Sequence, residues 1–283
     1  MGFRTDDPRF HARYDPRFRV QDSSLGFHSR GIPGLSMLPP AGTPEPPDIP
    51  KRLWLDGMDT ETRLLDPEDS TVLTWFDKSG NDSHFVKPAT NSKWPVATLD
   101  GLGVQFNATT LSTGNDQGEH SWLECPGKVI LGRPADTFVV FENVESQGAT
   151  GIIASVAVSV NRHASVAADR LLSRNSASNF GHYHLESQEP VGVTDRVLVH
   201  AQHIPGDLIS RVNDNEPRSR GTTSTNPTSN LETTYLGLTN RLGAAQVYSR
   251  FILREVIVID GGDIDEEGRE AVRDYLNAKW NIW

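Results

Sequence analysis

The chain has 283 residues and carries 37 acidic against 27 basic side chains, a formal net charge of -10. That balance argues against a general binder of nucleic acid or of an anionic membrane, since both repel an acidic surface. With 24 Gly, 18 Pro and 36% hydrophobic residues, the composition suits an all-β domain rich in turns and disfavours a helical bundle.

The N-terminal stretch MGFRTDDPRFHARYDPRF has no apolar core segment, so the expectation is synthesis in a cytoplasm without a secretory signal. Position 6 is Asp, where a myristoylation site needs Ser or Thr. No apolar run reaches the roughly 20 residues that span a bilayer. The only cysteine, Cys125, excludes a disulfide framework or a cysteine metal site, and reads as a buried small hydrophobe.

Residues 1–32 form the first segment. Asp7-Pro8-Arg9-Phe10 recurs as Asp15-Pro16-Arg17-Phe18, and aliphatic residues are scarce before Leu25. Such a segment cannot bury enough apolar surface to offset about 1–2 kcal/mol of ordering per residue. It reads either as a disordered tail or as an extended arm that orders on a partner. In the second reading Arg9, Phe10, Arg13, Tyr14, Arg17 and Phe18 are the anchors, because guanidinium forks and aromatic rings fill partner pockets well. Residues 33–50, with Pro33, Pro39, Pro40, Pro44, Pro46, Pro47 and Pro50, read as a semi-rigid spacer.

Residues 51–283 read as one domain. Short apolar or alternating runs predict strands over 52–56, 72–76, 84–86, 104–106, 121–124, 137–142, 151–158, 180–185, 197–203, 208–212, 234–238 and 251–259. Turn residues at 78–81 and 213–216 separate some of them. Ile264, Val272, Tyr275, Leu276 and Trp280 recur at helical spacing and predict one C-terminal helix. Asp263 and Glu266 have the spacing of a capping box, and Asp265, Glu266 and Glu267 suit the positive end of the helix.

Two groups of residues carry a family resemblance. One is Leu53-Trp54-Leu55-Asp56, then Val72–Trp75, Asp77-Lys78-Ser79-Gly80-Asn81 and Val104-Gln105-Phe106. The other is Ile252–Asp260 followed by Asp263–Trp280, ending Tyr275-Leu276-Asn277-Ala278-Lys279-Trp280. Together they resemble the concanavalin A-like, or laminin-G-like, jelly-roll superfamily, in the versions found in phage structural and bacterial surface proteins. The resemblance implies an all-β fold: an antiparallel jelly-roll β-sandwich with one C-terminal helix, here behind an extended N-terminal arm. Lectins, glycan-binding modules, glycosidases and inert spacers share that fold, so it leaves function open.

The chemical candidates are few. Asp263-Ile264-Asp265-Glu266-Glu267 resembles the acidic strand of jelly-roll glycosidases, which need two carboxylates about 5–5.5 Å apart. It follows Gly261-Gly262 and opens a helix, so a helix cap explains it better. His182 and His184 would share one strand face, and a metal there needs a third ligand such as His163, His200 or His203. Calcium is a habit of lectin-like members. Asp77, Asn81, Asp82 and Asp214 are weak candidate ligands, and all sit where turns use Asp and Asn for their own backbone. Trp94, Trp122 and Tyr183 are the candidate sugar contacts, whereas Trp54, Trp75 and Trp280 lie in motif runs and read as core. No nucleotide-binding loop and no nucleophile elbow is present in the sequence.

The expectation is therefore a non-enzymatic structural protein of a virion: a bacteriophage head decoration, fibre or tail component. Its arm would dock on other virion proteins, and many copies would display the jelly roll to cell-surface glycans without membrane insertion. A free carbohydrate-binding module is the alternative, and a glycoside hydrolase using Asp265 and Glu266 is a third reading.

Overall fold

A computed structural model describes residues 44–88, 94–106, 121–126, 129, 134–145, 150–156, 160–167, 170–174, 185–186, 196–204, 207–221, 233–237 and 250–283. The chain divides into two units, Met1–Ala41 and Gly42–Trp283. The first, with the arm residues Arg9, Phe10, Arg13, Tyr14, Arg17 and Phe18, lies outside the described residues.

The second unit is an antiparallel β-sandwich with one C-terminal helix. Its first sheet holds β1 (Leu53–Asp56), β5 (Val96–Ala97), β6 (Val104–Phe106), β8 (Ala135–Glu145), β13 (Val197–Ile204), β14 (Asp207–Val212), β15 (Arg218–Gly221) and β17 (Arg250–Asp260). The order is β15-β14-β13-β8-β17-β6-β5, with β1 also paired to β17. The second sheet holds β2 (Arg63–Leu65), β3 (Val72–Trp75), β4 (Phe85–Val86), β7 (Leu123–Pro126), β9 (Thr150–Val156), β10 (Val160–Ala167), β11 (Arg170–Arg174), β12 (Leu185–Glu186) and β16 (Thr233–Leu236). Its order is β12-β11-β10-β9-β16-β7-β4-β3-β2.

Most expected strands are present. Of the run at 180–185 only Leu185 lies in a described strand. β2 and β5 escape sequence reading because they are very short, and β15 because its sequence, Arg-Ser-Arg-Gly, has no apolar alternation. Pairing with β14 makes β15 a strand. Among the described residues no helix is long and apolar enough to cross a membrane.

Two apolar layers stabilise the domain. The first lies between the sheets and joins Leu53, Leu55, Val139, Phe141, Val256 and Val258 to Trp75, Phe85, Leu123, Cys125 and Leu236. The second lies on the outer face of the first sheet, beneath helix α1 (Glu266–Trp280). It joins Phe138, Val140, Leu198, Ile257 and Ile259 to Ile264, Val272, Tyr275, Leu276 and Trp280. The helical face read from the sequence is the face that docks. Because β8 and β17 are covered on both sides, they bury side chains of both parities instead of alternating. Ile49, near the end of the proline-rich segment, also packs on this outer layer.

The helix begins one turn detail away from expectation. Asp265, not Asp263, is the N-cap, and its Oδ1 accepts from Gly268 N at 2.9 Å. Asp263 instead sits in the preceding turn, its N–H donating to Asp260 O. Asn281 closes the helix in the left-handed conformation at φ 51.

β17 carries a bulge. Its pairing with β8 shifts between Leu253 and Glu255, so Leu253 faces the inner core and Val256 does too. The two residues between, Arg254 and Glu255, both turn to the helix side, which is how a bulge re-aims side chains. The backbone there is crowded. Gly57 N donates to Arg254 O at 2.8 Å, and a Cβ on Gly57 would lie 2.3 Å from that oxygen. A Cβ on Gly103 would lie 2.7 Å from Leu253 O. Gly57→Ala is therefore expected to destabilise the domain by at least about 1–3 kcal/mol, the usual effect of overpacking against backbone. Urea denaturation of the purified variant checks this.

Candidate functional site

The bulge positions the first polar cluster. Glu255 is 0% exposed and lies between β17 and the last turn of α1. Its Oε1 accepts from Tyr275 Oη at 2.8 Å and from Trp54 Nε1 at 2.9 Å. Its Oε2 accepts from Trp280 Nε1 at 2.6 Å and faces Lys279 Nζ at 2.9 Å. Lys279 Nζ also donates to Asp56 Oδ1 at 2.7 Å and to Tyr275 Oη at 2.9 Å. Lys78 pairs with Asp56 at 3.2 Å and with Asp59 at 2.8 Å, and its ammonium lies 4.2 Å from the Trp54 ring centroid.

The protonation states follow from these contacts. Burial pushes the Glu255 carboxyl above the usual carboxylate range, against the pull of Lys279. Burial also opposes ionisation of Asp56, but Lys279 and Lys78 outweigh it and hold that carboxyl low. Burial and the neighbouring carboxylates push the Tyr275 phenol up, so it stays a donor. Every polar atom of this cluster is engaged inside the fold, which makes it a lock and leaves no group for a ligand.

Arg254 extends the lock. It pairs with Glu142, and with Asp100 Oδ2 at 3.0 Å. Arg196 pairs with Glu142 at 2.7 Å and donates to the Trp280 carbonyl. Arg63 donates to Gly103 O at 2.7 Å and Gly101 O at 2.6 Å, tying β2 to the turn before β6.

The calcium reading does not hold at Asp77. Its Oδ1 accepts from Trp54 N and Ser79 N, and its Oδ2 accepts from Ser79 Oγ and Ser83 N. The carboxylate is filled by the turn it organises. Asn81 Nδ2 donates to Lys51 O at 2.7 Å, so it also serves the turn, while Asp82 adopts φ 54 and is exposed. Asp214 is exposed in the β14–β15 turn, remote in sequence from these three. Among the described residues no group of three or more His, Cys, Asp or Glu side chains could hold a metal ion.

The candidate sugar contacts fare unevenly. Trp122 is 5% exposed, so its ring offers no open face; it precedes β7, an interior strand between β4 and β16. Trp94 is half-buried, and the Lys87 ammonium sits 3.0 Å from its ring centroid, which covers one face. Tyr183, His182 and His184 lie outside the described residues, as does the side chain of His163. Of the possible metal partners, His200 is engaged elsewhere. The hydrolase pair is not assembled: Asp265 caps the helix, and Glu266 accepts from Arg269 at 3.2 Å.

A site that sequence reading missed lies at the other end of α1. A groove of about 160 Å³ is lined by His200, Gln202, Ile209, Arg211, Pro217, Glu266 and Glu270. Cross-strand register builds its floor: His200 pairs with Arg211 and Phe138, and Gln202 with Ile209 and Asp136. His200 stacks on Phe138 at 4.1 Å between centroids, and its Nε2 lies 2.8 Å from Asp136 Oδ1. Arg269 Nε donates to the same oxygen at 3.0 Å. Burial pushes the His200 pKa below its ordinary value despite Asp136. Burial resists ionisation of Asp136, but His200 and Arg269 prevail and keep it below the usual range. His200 is thus a neutral ring whose Nε2–H donates to a carboxylate, leaving Nδ1 as its acceptor. Arg211 pairs with Glu270 at 2.6 Å on the groove wall. Alternation along β13 placed His200 and Gln202 on one face, but nothing in the sequence signalled that β14 and α1 would close over them.

No family model matches the sequence, and no curated protein matches it. Solved structures share the fold. The binding domain of botulinum neurotoxin DC in complex with SialylT is similar with a TM-score of 0.53 and 9% identity over 80% of this chain and 52% of that one. The binding domain of botulinum neurotoxin serotype D gives 0.53 and 11%, over 79% and 51%. A structure of botulinum neurotoxin type C, whose cell entry is dependent upon interaction with two ganglioside molecules, gives 0.51 and 8%, over 76% and 51%. The chain spans about half the length of these structures, and identities this low carry the fold alone.

Lys279→Met leaves two buried carboxylates without their shared cation and is expected to destabilise the domain by about 3–5 kcal/mol in chemical denaturation. Asp100 supplies a pH test. Burial opposes it, yet hydrogen bonds from Arg254 and Thr98 hold its carboxyl at about 2 instead of 3.8. A carboxyl lowered by folding stabilises above its unfolded value, and that contribution fades as pH falls through the folded one. Between those two values the wild type is expected to lose more stability than Asp100→Asn, as read by thermal melts across acid pH.

Proposed function

We propose that the domain is a non-catalytic, lectin-like binding module of the concanavalin A-like type, displayed in many copies on a virion and held there by the N-terminal arm. The observation that carries the binding reading is the groove beneath the first turns of α1. It is open, mixes polar side chains with apolar surface and carries the Gln202 amide, whereas the carboxylates of the lock and the cap are already occupied by internal partners. A surface of that kind holds a ligand without transforming it. Weak single contacts suffice: a millimolar site is worth about 4 kcal/mol, and a multi-copy array raises avidity without new contacts.

The virion placement rests on the order of segments. A twice-repeated Asp-Pro-Arg-Phe arm, a proline-rich stretch and a sandwich make an anchored display protein, with phage head, fibre or tail proteins as its docking partners. Two measurements test the reading. On a glycan array the full chain is expected to bind at least one saccharide, and a blank array would refute the lectin reading. In a phage that encodes the chain, deletion of residues 1–32 is expected to abolish incorporation, and normal incorporation would refute the arm's role.

A further inference from the structure

The groove narrows the ligand, given the lectin reading above. Gln202 is 8% exposed, lines the groove and makes no side-chain hydrogen bond among the described residues. Its amide keeps access to solvent through the groove, so two N–H donors and a carbonyl acceptor stand open there to a ligand or water. Around it stand His200, whose Nδ1 is the ring's acceptor, and Glu266 and Glu270 on the helix wall. Ile209, the cross-strand neighbour of Gln202, and Pro217 supply apolar surface.

Charge decides between ligand classes. Both groove carboxylates already have cations, Arg269 on Glu266 at 3.2 Å and Arg211 on Glu270 at 2.6 Å. Among the described residues the site thus has no unpaired cation for an anionic group and no unpaired carboxylate for an amine. What remains are neutral donors and acceptors beside an apolar wall. That is the surface of a pyranose, whose adjacent hydroxyls each donate and accept while its C–H face is apolar. A volume of about 160 Å³ is below the ~300–1,000 Å³ of pockets for drug-sized ligands, so it admits one ring and excludes an oligomer.

We propose that the groove between β13, β14 and the first turns of α1 is a binding site for a single neutral pyranose ring, the terminal residue of a glycan, with Gln202 as its central hydrogen-bonding group. The sugar enters end-on, its hydroxyls meeting Gln202 and His200 and its C–H face lying on Ile209 and Pro217.

Saturation-transfer NMR on the full chain tests the site. The probes are the methyl glycosides of glucose, galactose, mannose and N-acetylneuraminic acid. At least one neutral glycoside is expected to bind with a Kd of about 1 mM, and the sialoside is expected not to bind. Gln202→Leu, which removes the amide at nearly constant volume, is expected to weaken binding at least tenfold. Ile209→Trp, which fills the groove from its apolar side, is expected to abolish it. Thermal melts identify any variant that fails to fold, and the other variant then decides. Unchanged binding in a folded variant overturns the groove assignment while leaving the lectin reading intact. Binding of the sialoside alone overturns the neutral-ring assignment. If no glycoside binds by NMR but the array is positive, the inference fails and the lectin reading survives; if both are blank, both fail.

Discussion

A carboxylate that water cannot reach governs how this domain is assembled. Glu255 is fully buried beneath α1, and an ionisable group in that position is tolerated only when its oxygens are met by donors. The donors come from two separate elements, Trp54 on β1 and Tyr275, Lys279 and Trp280 on α1, all aimed at a strand bulge in β17. The helix cannot lift from the sheet without leaving that carboxylate bare, nor can β1 leave the edge of β17. The apolar layer beneath α1 supplies burial, and the polar lock fixes the angle and register at which the layer forms.

This gives physical content to the residues that carry the family resemblance. Trp54, Asp56, Asp77, Lys78, Tyr275, Lys279 and Trp280 belong to one connected set of hydrogen bonds and ion pairs. Asp77 folds its own turn and accepts from Trp54 N, while Lys78 reaches Asp56. Their shared task is closing the sandwich at one end. A motif of this kind reports how the fold is held, and it is silent on what the surface binds. That fits the comparisons with solved structures, which share the sandwich at very low identity.

Periodicity and turn chemistry made most of the strands, the docking face of α1 and the burial of Cys125 legible in the sequence, because each is a local pattern. The lock was half legible: Trp54 and Trp280 read as core and Tyr275 as part of the helix face, but Glu255 itself was not singled out, since the bulge that turns it outward leaves no trace in the β17 sequence. Asp263 and Asp265 both have capping chemistry, and the choice between them depends on where the turn after β17 ends. Trp122 borders loops in sequence yet is buried, because β7 is interior to its sheet. The groove was illegible. Its residues come from β13, β14 and α1, and only tertiary packing brings Gln202 beside Glu266.

The two ends of α1 are coupled through its stiffness. The lock grips Tyr275, Lys279 and Trp280, and the same rod carries Glu266 and Glu270 to the groove roughly 8–21 Å away along its axis at 1.5 Å per residue. There Arg269 reaches Asp136, and Arg273 donates to the Asn213 carbonyl, so the groove wall is fixed at both ends. This bears on chemistry as well as shape. A carboxylate–histidine pair serves acid–base catalysis when the carboxylate strengthens the imidazole as a base. Here Arg269 competes for Asp136, and burial pushes the pKa of His200 down, so the ring is a weak base held in one orientation. The dyad at the groove floor is thereby held rigid, with the imidazole fixed by Asp136 and Phe138.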